Sequence, residues 1–204
     1  MKIGVLDYGI GNVGSVYRLC NRFSHTQVIG PQDLWDEYNL VIFPGVGSFD
    51  HAIKVANDSN LDEQLPIHLS KGGVILAICI GMQVLFDSSE EGSLAGLGLV
   101  EGSLEKMTSY PGYPVPHMGW SEVLSPDFPF PVEGEFYFTH SYAMLSNRFK
   151  KERYQILTTI YHDSIVAGFY RNNVFGVQFH PEKSGTNGRD FLENVINHVS
   201  GLVE

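Results

Sequence analysis

Apolar residues follow two rhythms along this chain. Through residue 100 they arrive as short unbroken runs separated by segments with a helical period. The runs at 2–7, 27–29, 40–43 and 74–78 predict strands, and the segments at 12–23, 48–57, 61–71 and 80–86 predict helices. Asn12 is placed to cap the first helix. Strands that are apolar on both faces, with helices between them, imply a parallel sheet covered on both sides. Beyond residue 100 the rhythm changes. Pro111, Pro114, Pro116, Pro126, Pro129 and Pro131 crowd one stretch. It reads as an ordered excursion at one edge of the sheet, because Tyr110, Tyr113, Trp120 and Phe128 give it surface to pack. Strands are expected at 135–139, 155–161, 165–170 and 174–179. Several are antiparallel, since Asn172-Asn173 makes a turn between two of them. A helix from about 189 to 199 completes the pattern. The expected fold is α/β: an open, mostly parallel sheet covered by helices on both faces, with additional antiparallel strands in the second half. No linker or repeat divides it, so residues 1–204 are expected to form a single domain.

Composition narrows the function classes. The chain is 43% hydrophobic and 18% charged, an ordinary globular balance. A formal net charge of −10 with no basic stripe argues against nucleic acid or an anionic membrane as partner. The first residues read as a strand and not as a signal peptide, no apolar run is long enough to span a bilayer, and the two cysteines make no disulfide framework. A cytoplasmic location is expected. Cys20 falls on the apolar stripe Val16, Leu19, Cys20, Phe23 and reads as core.

Cys79 is different. The run Val74-Ile-Leu-Ala-Ile drives into it, and a helix is expected to begin at once, so the thiol would sit at a helix N-terminus, where the dipole favours thiolate. Val174-Phe-Gly-Val-Gln-Phe-His180-Pro-Glu182 offers a base and an orienting acid. In extended chain His180 and Glu182 share a side roughly 7 Å apart, and Pro181 keeps His180 extended. Together these residues propose a Cys79–His180–Glu182 triad. Pro44-Gly45-Val46-Gly47 is a glycine turn after a buried strand, of the kind that presents backbone amides to a ligand. The amides of Val46 and Ile80 are the candidate donors to a tetrahedral oxyanion. By themselves those four residues fit an ordinary strand-to-helix turn equally well.

Gly9-Ile-Gly11-Asn-Val-Gly14 matches the dinucleotide fingerprint in letter only. The second strand ends Val28-Ile29-Gly30-Pro31, with no acid to hold a ribose, so no nucleotide is expected. The histidines show no metal-ligand spacing, and neither metal nor cofactor is expected. His117-Met-Gly-Trp120 and Tyr137-Phe-Thr-His-Ser-Tyr142, taken alone, fit strand packing around satisfied histidines.

Six motifs together carry a resemblance over essentially the whole chain: Asp7-Tyr-Gly-Ile-Gly-Asn12, Pro44-Gly-Val-Gly47, Cys79-Ile-Gly-Met-Gln83, Pro116-His-Met-Gly-Trp120, His140-Ser-Tyr142 and Gly176-Val-Gln-Phe-His-Pro-Glu-Lys-Ser184. With them the chain resembles the class I glutamine amidotransferases, and among these the glutaminase subunits of imidazole glycerol phosphate synthase. The resemblance implies hydrolysis of L-glutamine to glutamate and ammonia, with ammonia passed to a (β/α)8-barrel cyclase in a heterodimer of histidine biosynthesis. It implies Gly47, Gln83, Glu91 and His140, with backbone at Ser141 and Tyr142, as substrate positions. It implies Asn12, Pro116, His117, Met118, Gly119, Trp120, Tyr137 and Lys183 as the partner interface. Two positions depart from the pattern: Ala77 stands where the family usually has glycine, and Ser121 where it has asparagine. Other readings are ammonia supply to a system amidating surface-polysaccharide sugars, a stand-alone γ-glutamyl cysteine hydrolase, and a non-catalytic scaffold or regulatory subunit.

Overall fold

The structure is a computed structural model that describes residues 1–124 and 128–203. Part of the proline-rich stretch, including Pro126, therefore lies outside the described residues. Among the described residues, nine strands form one sheet, in the order β2-β1-β3-β4-β12-β11-β10-β7-β8. Its parallel part contains the strands predicted for it, β1 (Lys2–Leu6), β2 (His25–Ile29), β3 (Leu40–Gly45) and β4 (Val74–Cys79), joined by β12 (Val174–Val177) from late in the chain. Every residue of β3 and β4 is buried, as unbroken β-branched and apolar runs require. The second half is antiparallel: β11 (Asp163–Arg171), β10 (Gln155–Tyr161), β7 (His117–Leu124) and β8 (Gly134–His140). The β11–β12 hairpin turns at Asn172 and Asn173, whose φ angles of 49° and 64° suit the two-residue turn read from the sequence. A three-stranded sheet of β5 (Phe86–Ser89), β6 (Val100–Lys106) and β9 (Tyr142–Ala143) lies beside them.

Helices flank the sheet: α1 (Val13–Cys20), α2 (Phe49–Asp58), α3 (Leu61–Ser70), α4 (Ile80–Gln83) and α5 (Gly185–Val203). Three differ from expectation. The first stops at Cys20, and Asn12 occupies its cap position without a side-chain cap bond. The last begins at Gly185, earlier than its apolar period suggests. The third difference matters most. α4 is one turn long, because Phe86 is drawn into β5 and the Leu97 N–H closes onto the Val84 carbonyl. One turn carries little macrodipole, so the dipole cannot be the main support of a thiolate at Cys79. Among the described residues, no helix is long and apolar enough to cross a membrane.

Candidate active site

The site forms where the parallel strands end. β4 delivers Cys79 into a backbone conformation of φ 55° and ψ −111°, rare for any residue but glycine. The chain there passes from strand to helix within one residue, so the thiol projects from a tight elbow. Glycine makes this possible on both sides. A Cβ on Gly81 would fall 2.1 Å from the Phe43 carbonyl oxygen, and one on Gly45 would fall 2.5 Å from the Gly81 nitrogen. Gly45 therefore serves close packing behind the site and does not line the cavity, contrary to its reading as a substrate position. Ala77 is fully buried in β4, in register with Gly176 of β12. The fingerprint-like turn has a packing role as well: a Cβ on Gly11 would meet the Pro44 carbonyl oxygen at 3.1 Å, and the Tyr8 hydroxyl donates to that same oxygen at 2.8 Å.

β12 lies beside β4 with Val177 in register with Ile78. Two strands distant in sequence thus bring His180 to Cys79. The ring of Phe179 is buried among Phe136, Phe138 and Phe191, and the His180 N–H donates to the Tyr137 carbonyl at 2.9 Å. His180 itself is extended, as Pro181 demands, but the chain does not stay extended. A 3-10 turn, Pro181–Lys183, follows, closed by the Lys183 N–H on the His180 carbonyl and reinforced by the Ser184 hydroxyl donating to the same oxygen. The turn, not strand alternation, carries the Glu182 carboxylate to Nδ1 of His180 at 2.9 Å. That bond puts the proton on Nδ1 and leaves Nε2 for the thiol. Burial works against charge on this imidazole, yet hydrogen bonding to Cys79 and Glu182, and the negative charge each can carry, outweigh it and raise its pKa to about 9. Among the described residues, Nε2 of His180 and Oε2 of Glu182 have no hydrogen-bond partner, while the Cys79 thiol is close enough to act on the imidazole.

Cys79 and His180 open into a cavity of about 390 Å³. Val46, Gly47, Ile80, Gln83, Glu91, His140, Ser141 and Tyr142, all anticipated, line it, as do Pro116 and Lys183 from the proposed docking face. Thr139 also lines it and was not anticipated; it alternates with His140 at the end of β8 and carries no motif signal. Glu91 accepts from the Phe49 N–H at 2.8 Å, holding the start of α2. The carbonyls of Ser141 and Tyr142 are already taken, the first by the Met107 N–H and the second by His140 and Gln83 side chains. Gln178 was also missed. Its signal is a lone amide in an apolar run, and it is fully buried beside Cys79.

His117 corrects the interface reading. Alternation along β7 turns it inward, where it is buried, and turns Met118 and Trp120 outward, 63% and 52% exposed. Its Nδ1 meets Nε2 of His140 at 3.1 Å, and its Nε2 meets the Ser121 hydroxyl at 2.8 Å. Burial pushes His117 down to about 4. Burial, with neighbouring His117, pushes His140 down to about 3. Outside, Trp120 packs edge-on to Tyr137, and the Lys183 ammonium lies 5.7 Å from the Tyr137 ring centre. Asn12 is half-buried at the start of α1. Cys20 is core, with its thiol pushed up to about 12 first by burial and further by the Glu182 carboxylate.

A strand-borne cysteine at an elbow, facing a histidine beyond the end of the adjacent strand that is held by a glutamate on the following turn, is the arrangement for acyl transfer through a thioester. Residues 5–199 match the family model described as "Glutamine amidotransferase class-I". The chain belongs to the class I glutamine amidotransferase family. Among curated relatives, it is 38% identical over 205 residues to "Imidazole glycerol phosphate synthase subunit HisH" of Synechocystis sp., covering 97% of each chain. The protein of the same name from Geobacillus thermodenitrificans is 37% identical over 212 residues, covering 98% of this chain and 97% of that one. Solved structures with the same fold include "Structure of PurLQS from Thermotoga maritima", with a TM-score of 0.74 at 19% identity over 97% of this chain and 98% of that one. A glutamine amidotransferase from Thermotoga maritima gives a TM-score of 0.62 at 15% identity over 98% of this chain and 84% of that one.

Proposed function

We propose that this chain is the glutaminase subunit of an imidazole glycerol phosphate synthase, hydrolysing L-glutamine and passing ammonia to a (β/α)8-barrel cyclase. The observation that carries the chemistry is His180 set between Glu182, at 2.9 Å, and the Cys79 thiol. Cys79 gives its proton to Nε2 of His180, and the thiolate attacks the carboxamide carbon of glutamine. The amides of Val46 and Ile80 receive the oxyanion. His180 returns the proton to the departing nitrogen, and ammonia leaves. Water, deprotonated by His180, then attacks the glutamyl thioester; the carbon–sulfur pair returns to sulfur and glutamate departs. Glu91 suits the substrate's α-ammonium. The names of the relatives support the histidine pathway, and the exposed Met118 and Trp120 beside Lys183 support a docked partner over a stand-alone hydrolase.

One experiment tests both parts: glutamate production by the pure chain with and without a barrel cyclase and its nucleotide ligand. Slow turnover that rises strongly with the partner, and falls by at least about 10³-fold in Cys79→Ala, is expected. Brisk turnover alone would favour the stand-alone hydrolase, and turnover surviving in Cys79→Ala would remove the nucleophile.

A further inference from the structure

Gln178 is fully buried in a run of apolar residues. A primary amide in such a place is costly unless it is bonded, so its partners define its purpose. Its oxygen accepts from Nε2 of Gln83 at 2.9 Å, and its own Nε2 points at the Cys79 sulfur at 3.7 Å. Which end of each amide faces which neighbour follows from one fixed acceptor. The Tyr142 carbonyl receives Nδ1–H of His140 at 3.0 Å and Nε2–H of Gln83 at 3.1 Å, filling both lone pairs. An acceptor there forces the nitrogen end of Gln83 toward it. The same nitrogen gives its second hydrogen to Gln178, which must present oxygen, and the N–H end of Gln178 is left facing sulfur. The histidine pair continues the chain outward, from His140 to His117 to the Ser121 hydroxyl on β7.

We propose that Gln178 is a further catalytic group of this site: its side-chain amide donates to the Cys79 sulfur and favours the thiolate, held in that orientation by Gln83 and the Tyr142 carbonyl. The proposal rests on the reading of Cys79 as nucleophile. An amide N–H is a weak partner for a neutral thiol and a much better one for the anion, so the contact strengthens as the proton leaves. It acts twice in the cycle, when the resting thiolate forms and when the thioester breaks and the electron pair returns to sulfur. It also replaces the support that a one-turn α4 cannot give.

The test uses the full chain with Gln178→Met, which keeps size and removes the donor, probed by methyl methanethiosulfonate and read by intact mass. Cys20, fully buried with its thiol held protonated, stays silent. Loss of the donor should move the rising limb of the rate profile up by about one pH unit. The freed thiolate is intrinsically more nucleophilic, so the plateau at high pH should rise about threefold and the two profiles should cross. A packing defect alone produces no crossing. Partner-activated kcat should fall about tenfold with KM little changed. Superimposable profiles would overturn the proposal. If Gln178→Met does not fold, the unaltered protein answers: the side-chain amide resonances of Gln178 should shift when Cys79 is modified, and resonances indifferent to modification would equally overturn it. Glutamine hydrolysis surviving in Cys79→Ala would instead strike the reading of the nucleophile beneath it.

Discussion

His180 and the pair His117–His140 are buried in one site, yet they are held in opposite states. Burial presses all three toward neutrality. His180 escapes because the Cys79 thiol and then the Glu182 carboxylate favour its charged form, and it rises to about 9. His117 and His140 face each other, a hydroxyl and a carbonyl, and fall to about 4 and about 3. Depth therefore does not decide what a buried histidine does; the charge on its partners does. On the proposed mechanism the first histidine carries the proton. The other two are uncharged struts whose tautomers are fixed by the Ser121 hydroxyl at one end and the Tyr142 carbonyl at the other.

Glu182→Gln breaks this contrast hardest. It removes the second, after Cys79, of the two partners that raise His180, and glutamine turnover should fall between about 10² and 10⁴-fold. The His180 resonance, followed by NMR titration, should move down. A His180 that still titrates near pH 9 would show that Glu182 is not among the causes.

The pH dependence of stability sharpens it. His180 has a folded pKa above its ordinary value of 6.5, so its contribution is full below 6.5 and is lost as pH rises through about 9. His117 and His140 lie below 6.5, so theirs is present above 6.5 and is lost as pH falls toward 4 and 3. Urea midpoints should thus decline on both sides of a maximum near pH 6.5. The alkaline decline should flatten in Glu182→Gln while the acid decline persists. Parallel behaviour of the two limbs would deny that separate histidines govern them.

Ser121→Ala gives the smallest effect. It leaves Nε2 of His117 without its donor and should cost about 1 kcal/mol in urea unfolding, while the Tyr142 carbonyl still fixes the His140 tautomer. No change in the urea midpoint would mean the hydroxyl is dispensable to the pair.

Much of this was legible because the first half of the chain obeys simple rules. Runs such as Val74-Ile-Leu-Ala-Ile have no polar face, so only a central parallel strand suits them, and the cysteine at the end of one is exposed as chemistry by its position. Cys79, His180 and Glu182 were named from such placement, and the structure brings them together. What was missed depends on contacts between distant segments. Phe86-Asp-Ser-Ser has no strand composition of its own and becomes β5 by pairing with β6. That pairing also cut short the helix expected over 80–86. The left-handed backbone of Cys79 follows from the close approach of Gly45 and Gly81, which no local pattern announces. The motif His117-Met-Gly-Trp120 is continuous in sequence, but strand alternation splits it between inside and outside.

The adjacency of β4 and β12 has a consequence for biogenesis. During synthesis the sulfur emerges from the ribosome long before its imidazole, and the strands that unite them pair only when the late hairpin docks beside the early sheet. An immature chain therefore carries the thiol without its imidazole, and on the proposed mechanism it turns over no glutamine until the last central strand is in place.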